Sequence, residues 1–215
     1  MLVTIRIDVW SDVVCPWCYI GKRRLESGLE RFEHKDDVSI TWHSFQLDPT
    51  IPQGQREPVS EMLGKKIGAP PSQVRAMQHQ VTQLAEAEGL SYDLGNASSV
   101  NTRDAHRVAH LAGQHGLGDA MHEALLKAHL SDAAVVDDPD TLVRLATEVG
   151  VPAAEATDVV NSQKYGAEVD ADIRKARQLG ISGVPFFVLN DRIGVSGAQS
   201  AEHFLAALRK AHAEA

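Results

Sequence analysis

The sequence is poor in cysteine, with only two among its 215 residues, and this excludes a framework of several disulfides. Basic residues are also fewer than acidic ones, and the formal net charge is -8. A general nucleic-acid-binding protein normally presents a basic face, so the charge argues against that class. Internal repeats and low-complexity tracts are absent as well. An ordinary globular protein is expected, because 43% of the residues are hydrophobic.

The beginning of the sequence lacks the long apolar run of a signal peptide or a membrane span, because Arg6 and Asp8 interrupt it. We therefore expect a cytoplasmic protein with neither a membrane nor a nucleic-acid partner. Structural disulfides are rare in a reducing compartment, and a disulfide between residues this close in sequence constrains the unfolded chain little. The two cysteines are therefore expected to be reactive.

Both cysteines belong to the motif Cys15-Pro16-Trp17-Cys18. Apolar residues alternate with polar ones over residues 3–9, which predicts a strand with one buried face. Residues 10–14 are expected to form a connecting loop. Proline is tolerated in the first turn of a helix, so a helix is predicted to begin at Cys15 or just after it. A C-x-x-C pair between a strand and a helix is typical of thiol-disulfide exchange.

A second strand is predicted over residues 38–47, and helical patterns separated by glycine and proline then fill residues 57–151. An apolar run over residues 183–189 predicts a central strand, and residues 192–195 a short partner strand. Five helices are predicted over residues 59–67, 71–87, 101–116, 119–130 and 138–150. A further helix is predicted to end just before Gly180, and Ser200 is predicted to cap the last helix.

These patterns predict an α/β fold of order β-α-β, then a large all-helical insertion, then α-β-β-α. The chain is predicted to form a discontinuous α/β domain from residues 1–54 and 163–215. Residues 55–162 are predicted to form the helical insertion domain.

Three segments carry a resemblance to a known family: residues 11–21, residues 101–107 and residues 183–187. They read SDVVCPWCYIG, NTRDAHR and GVPFF. With the order of predicted elements, they resemble the DsbA family of thioredoxin-like proteins. Within that family the chain looks most like the cytoplasmic branch of FrnE-like and 2-hydroxychromene-2-carboxylate isomerase-like proteins. The resemblance covers essentially the whole chain and implies a thioredoxin-like fold.

The position of each cysteine predicts its role. A thiolate at a helix N-terminus is stabilised by unpaired backbone N–H groups and by the positive end of the helix dipole. Cys15 lies nearest to that end and is the expected nucleophile. Cys18, one turn further inside, is expected to resolve the mixed disulfide. The predicted function is therefore oxidation, reduction or isomerisation of disulfides in protein or small-molecule thiols.

The resemblance also implies a cis proline at Pro185, beside the cysteines, which leaves the Val184 backbone free to pair with an extended substrate. We predict that Trp17, Val184 and Phe186 contact the substrate. Trp17 occupies a position where the best-known oxidising members carry His, and loss of that polar neighbour predicts a less oxidising pair. The family often uses a buried acid near the site, for which Asp8 and Asp12 are the candidates. Asp12 could equally well cap the loop before the cysteines.

Other readings of the same residues remain open. The cysteines could form half of a zinc site with His106 and His110, although structural zinc usually needs a second closely spaced ligand pair. We predict no metal and no cofactor beyond the cysteines, with glutathione as a candidate co-substrate. A second possible function is a glutathione-dependent isomerase or kappa-class-like transferase that acts on an aromatic or polyketide molecule. A third is a client-binding chaperone.

Overall fold

The computed structural model describes residues 4–214. Val3, which the alternation assigned to the first strand, lies outside this range. The described elements are, in chain order, β1 (Ile5–Ser11), α1 (Pro16–Glu30), β2 (Val38–Ser44), β3 (Glu57–Pro58), α2 (Val59–Ile67), α3 (Pro71–Ala87), β4 (Ser98–Ser99), α4 (Arg103–Gln114), α5 (Gly118–Leu130), α6 (Pro139–Glu148), α7 (Ala153–Val160), α8 (Gly166–Gln178), β5 (Phe186–Leu189), β6 (Ile193–Ser196) and α9 (Ala201–Ala213).

The main sheet has four strands in the order β2-β1-β5-β6. β1 pairs with β2 in parallel and with β5 antiparallel, and β5 pairs antiparallel with β6. α1 and α9 pack on one face, where Ile5, Ile7 and Phe187 join Leu25 and Phe204 in one core. This arrangement confirms the predicted β-α-β and α-β-β-α segments at the two ends of the chain.

The first strand is longer than predicted, because Trp10 and Ser11 belong to β1 and not to a loop. Trp10 is fully buried, stacks on His43 at 4.5 Å, and donates a hydrogen bond from Nε1 to the Asp172 carbonyl at 3.1 Å. Both faces of β1 are covered at this end, so apolar and polar residues do not alternate there. The alternation in the sequence therefore could not show where the strand ends. β2 is conversely shorter than predicted and ends at Ser44.

The predicted helices at 59–67 and 71–87 match α2 and α3, and Asp138 caps α6 as expected by accepting a bond from the Thr141 amide. The helix predicted from residue 101 begins later: Thr102 is the N-cap of α4, and the Asn101 side chain accepts from the Arg103 amide. The sequence also missed α7 and the short β3-β4 ladder. The domain boundaries at residues 54 and 162 remain a prediction.

Helices α4 to α7 enclose a second core, which includes Val108, Leu125, Leu142 and Val159. Val13, from the segment that links β1 to α1, is fully buried in this same core. The active-site segment is therefore anchored in the helical region as well as in the sheet.

Arg107 is buried between α4 and the segment that follows α7. Its guanidinium donates to the backbone carbonyls of Ser162 at 2.6 Å and Lys164 at 2.7 Å, and also to that of Val159. Its charge is balanced by Asp104 at 2.6 Å. Arg107 thus satisfies backbone acceptors that would otherwise be buried without a partner.

Among the described helices, none is long and apolar enough to cross a membrane.

Candidate active site

Cys15 is the N-cap of α1, as the proline after it predicts. Its amide donates to the Asp12 carbonyl at 3.0 Å and closes a tight turn between β1 and the helix. Its carbonyl then accepts from the Cys18 amide at 3.0 Å, in the first turn of α1. The Cys15 sulfur is therefore at the end of the helix where backbone N–H groups lack intrahelical partners.

The two cysteines differ in their surroundings although both are free thiols. Both belong to one small apolar cluster with Ile20 and Leu126, but Cys15 is 4% exposed and lines a cavity, whereas Cys18 is 1% exposed and does not line it. Burial, and then the neighbouring Cys15, raise the pKa of Cys18 well above its ordinary value. This asymmetry agrees with the roles predicted for the two residues.

The Val184–Pro185 peptide bond is cis, which confirms that prediction. The Cys15 thiol lies 3.6 Å from the Val184 carbonyl oxygen, to which it donates. The Pro185 carbonyl in turn accepts from the Gly197 amide at 2.9 Å. This bond holds Val184 and Pro185, the proline segment, against the end of β6. Residues almost 170 positions apart in sequence therefore meet at the nucleophilic sulfur.

The structure brings together two of the three predicted substrate-contacting residues. Trp17, 43% exposed, and Val184, half-buried, both line the cavity beside Cys15. Phe186 is not part of that wall. It packs in the cluster of Trp10 and Val188, on the face of the sheet opposite to that of Phe187.

Asp12, and not Asp8, is the acid beside the cysteines. The Asp12 carboxylate is buried, accepts from the Leu47 amide at 2.7 Å, and lies 3.2 Å from His106 Nε2. These bonds support the loop-capping role. Asp8 instead bonds His43 and Arg6, and although burial opposes it, these bonds lower the pKa of Asp8.

His106 and His110 do not share a ligand. His106 faces Asp12, whereas His110 Nε2 lies 3.1 Å from both Ser44 Oγ and a carboxylate oxygen of Asp172. Within residues 4–214, no group of three or more His, Cys, Asp or Glu side chains could hold a metal ion.

Sequence reasoning missed a buried hydrogen-bond chain behind Cys18. The Ser11 hydroxyl is fully buried at the end of β1, lies 2.9 Å from His122 Nε2 on α5, and lowers the pKa of Cys18 as a hydrogen-bonding group. Burial lowers the pKa of His122 to about 3, so its ring is neutral. It stacks on Trp42 at 4.0 Å. The signal in the sequence was Ser11 itself, a serine that follows Trp10 directly and lies just before the motif.

Replacement of Ser11 by Ala is expected to raise the pKa of Cys18 further, because the Ser11 bond lowers it. A hydrogen bond to a charged group contributes about 1.5 kcal/mol or more, so the Cys18 attack on the mixed disulfide should slow by roughly tenfold at neutral pH. The measurement is thiolate absorbance against pH in the Cys15→Ser background.

Ser44→Ala is the matched control, because Ser44 pairs with Ser11 across β1 and β2, is equally buried, and bonds a histidine. An unchanged Cys18 titration in Ser11→Ala would contradict the proposed role of the hydroxyl.

Charged residues cluster between α1 and α5. Lys22 is 3% exposed, and its ammonium lies 3.0 Å from Glu123 and 3.5 Å from Asp119, and also bonds Glu26. Burial opposes the charge, yet these carboxylates raise the pKa of Lys22. They belong to α5 as well as α1, which is why the sequence alone could not reveal them.

Tyr92 fixes the first turn of α1 from the opposite side. Its hydroxyl donates to the Pro16 carbonyl at 2.7 Å, and its ring stacks on Tyr19 at 6.2 Å. Burial and the two cysteines raise the pKa of Tyr92, so it stays a neutral donor. The backbone of the motif is thereby held from the helical region.

A sheet of order β2-β1-β5-β6, a C-x-x-C motif at the start of α1 and a cis proline against the first cysteine define a thioredoxin-fold dithiol protein. A sequence profile of the DSBA-like thioredoxin domain family matches residues 6–209, so the chain belongs to that family. The predicted family and fold are both confirmed.

Three solved structures are similar to this chain in fold. A probable DsbA oxidoreductase from Streptomyces coelicolor is 41% identical, with a TM-score of 0.94 over 98% of this chain and 91% of that one. A 2-hydroxychromene-2-carboxylate isomerase is 14% identical, with a TM-score of 0.72 over 95% of both chains. The cytosolic disulfide reductase DsbM from Pseudomonas aeruginosa, solved with glutathione, is 21% identical, with a TM-score of 0.66 over 95% and 98%.

Proposed function

We propose that the protein exchanges thiols and disulfides through Cys15 and Cys18. The observation that supports this most is the contrast between them: Cys15 is the N-cap of α1 at the wall of a cavity, and Cys18 is buried one turn behind it. Thiolates at helix N-termini are the reactive ones, and buried thiols are inert until a disulfide forms beside them.

The reaction moves two electrons from the dithiol to a substrate disulfide. The Cys15 thiolate attacks one substrate sulfur, an S–S bond forms between them, and the other substrate sulfur leaves as a thiolate that takes up a proton. Cys18 then loses its proton and attacks the Cys15 sulfur. The second substrate thiol leaves, and Cys15 and Cys18 are joined in a disulfide. The same steps in reverse oxidise a substrate.

The proline segment supplies a place for a substrate backbone. Val184 lies against Cys15, and an extended peptide that pairs with its backbone would present a disulfide to the sulfur. Glutathione is a suitable thiol to reduce the Cys15–Cys18 disulfide again, and the related DsbM was solved with it. A cytosolic relative also fits the cytoplasmic location that we propose.

The test is reduction of insulin disulfides and reactivation of a scrambled disulfide protein, with the reduction potential measured in glutathione buffers. We expect turnover of a disulfide substrate, with a thiol as the reductant and without added metal or nicotinamide. The competing function, glutathione-dependent isomerisation, is favoured by the cavity beside Cys15 and by the isomerase fold similarity. Isomerisation of an aromatic substrate without any dithiol turnover would reverse this order.

Replacement of Trp17 by His is expected to make the couple more oxidising. Trp17 follows the N-terminal end of α1 and is 43% exposed, so a histidine there is accommodated and places a polar, chargeable ring near the Cys15 thiolate. Stabilising the reduced form raises the potential, by about 30 mV for about 1.4 kcal/mol. Trp17→Phe serves as the control, and equal potentials in the two variants would contradict the argument.

A further inference from the structure

A cavity of about 560 Å³ lies beside Cys15, between the active-site segment and helices α2 and α3. Cys15 and Val184 both form part of its wall, so it is continuous with the reactive sulfur. Sites for small molecules are commonly clefts of roughly 300–1,000 Å³. The volume is therefore that of a site for a whole small ligand.

Large exposed apolar side chains are concentrated around this cavity. The residues that the structure describes include five such side chains, and four of them line it; the fifth, Leu179, does not. Contiguous exposed apolar surface marks a site of interaction, whereas scattered apolar residues do not. The four are Trp17 (43% exposed), Leu47 (41%), Ile67 (47%) and Met77 (45%).

Helix α2 contributes an apolar face that the protein leaves uncovered. Val59, Met62, Leu63 and Ile67 all line the cavity, at the spacing of one helix face. In spite of this pattern, none of the residues of α2 is buried. An amphipathic helix normally covers its apolar face, so a ligand in the cavity would complete the packing of α2.

The charges in the wall disfavour an anionic ligand. Its one cationic side chain among the described residues is Lys66, and that ammonium lies 3.8 Å from the Asp48 carboxylate, which also lines the cavity. Asp12 is a second carboxylate in the wall. Acidic groups thus outnumber basic ones, and a ligand with several carboxylates, such as glutathione disulfide, would be repelled.

We propose that this cavity binds a small, uncharged, apolar disulfide, and that Cys15 reduces it. The proposal rests on the proposed thiol-disulfide exchange. The apolar body of the ligand lies against α2 and α3, and its S–S bond lies at Cys15. The dithiol supplies two electrons, both substrate sulfurs leave as thiols, and a low-molecular-weight thiol reduces the resulting Cys15–Cys18 disulfide.

The first experiment measures binding without chemistry, by calorimetry of bis(4-hydroxyphenyl) disulfide with the Cys15→Ser variant. We expect saturable binding that a further Met62→Trp substitution, which fills the cavity from a half-buried position, weakens by about tenfold or more. Leu179→Trp places the same bulk outside the cavity and should leave binding unchanged. Absence of saturable binding, or equal weakening by both substitutions, would overturn the proposal whatever the exchange activity.

The second experiment measures reduction by the protein with both cysteines. The rate constant for reduction by the protein is measured for bis(4-hydroxyphenyl) disulfide and for glutathione disulfide. Each value is divided by the rate constant for reduction of the same disulfide by dithiothreitol, which corrects for the intrinsic reactivity of that disulfide. We expect a preference of about tenfold or more for the aromatic disulfide, lost in Met62→Trp. A preference for glutathione disulfide, or for a disulfide-linked apolar peptide, would refute the proposal. Tight binding without reduction of any disulfide would refute only the proposed function.

Discussion

The Cys15→Ser variant is expected to lose disulfide exchange by at least about a thousandfold, since a serine hydroxyl is not ionised at neutral pH and cannot form a mixed disulfide. The Cys18→Ser variant should behave differently. Cys15 keeps its place at the N-cap of α1, so the first attack proceeds, but the buried resolving sulfur is absent. A covalent adduct with the substrate should therefore accumulate at Cys15.

The two variants are compared by insulin reduction and by intact mass after incubation with a disulfide substrate. One adduct per chain in Cys18→Ser, and none in Cys15→Ser, is the expected pattern. Circular dichroism controls for folding, because both sites are buried. Retention of more than about a tenth of the insulin reduction in Cys15→Ser would contradict the nucleophilic role of Cys15. Absence of exchange in the wild type, with a client-holding activity that Cys15→Ser leaves intact, would favour the chaperone function, in which the thiols have no role.

The Gly21→Ala variant is expected to lose both stability and exchange activity. A Cβ at this buried position of α1 would lie 2.9 Å from Pro185 Cγ and 3.3 Å from Phe187 Cζ. The proline ring has little freedom to move away, and extra volume in a packed core costs about 1–3 kcal/mol. Because Val184 and Pro185 contact the cysteine site, their displacement should reduce the exchange rate by roughly tenfold.

Gly113→Ala is the matched control, since Gly113 also lies in a helix and a Cβ there meets nothing within 4 Å. It should raise the stability by about 0.5–1 kcal/mol through helix propensity alone. The free energy of unfolding comes from urea titration, and activity from insulin reduction. If Gly21→Ala gained stability as Gly113→Ala does, the contact between α1 and the proline segment would be less tight than described.

Local signals in the sequence predicted much of the site. The proline after Cys15 predicted the start of α1, and the apolar run after Pro185 predicted β5. The spacing of the two cysteines predicted that Cys18 lies one turn further inside the helix than Cys15. Each of these depends on residues that are neighbours along the chain. The same holds for Ser200, whose side chain caps α9.

Features that depend on distant residues could not be predicted in this way. Lys22 has the sequence pattern of a surface residue, but Glu123 on α5 accompanies it into the interior. Ser11 was assigned to a loop, because a strand buried on both faces carries no alternation. The cavity likewise depends on how α2 and α3 pack over the active-site segment. Phe186 was assigned to the substrate from its position next to Pro185, whereas its packing in the cluster of Trp10 and Val188 involves residues far away in the sequence.

The packing of Val13 has a consequence for how the protein can be divided. Along the chain, the helical segment is an insertion that could have been added to or deleted from a smaller ancestor. In space, however, Val13 is buried among the helices α4 to α7, two residues before the nucleophile. Excision of that segment would leave this side chain in water and would free one end of the Cys15 turn. The helical region therefore cannot be removed without loss of contacts that hold the segment before Cys15 in place.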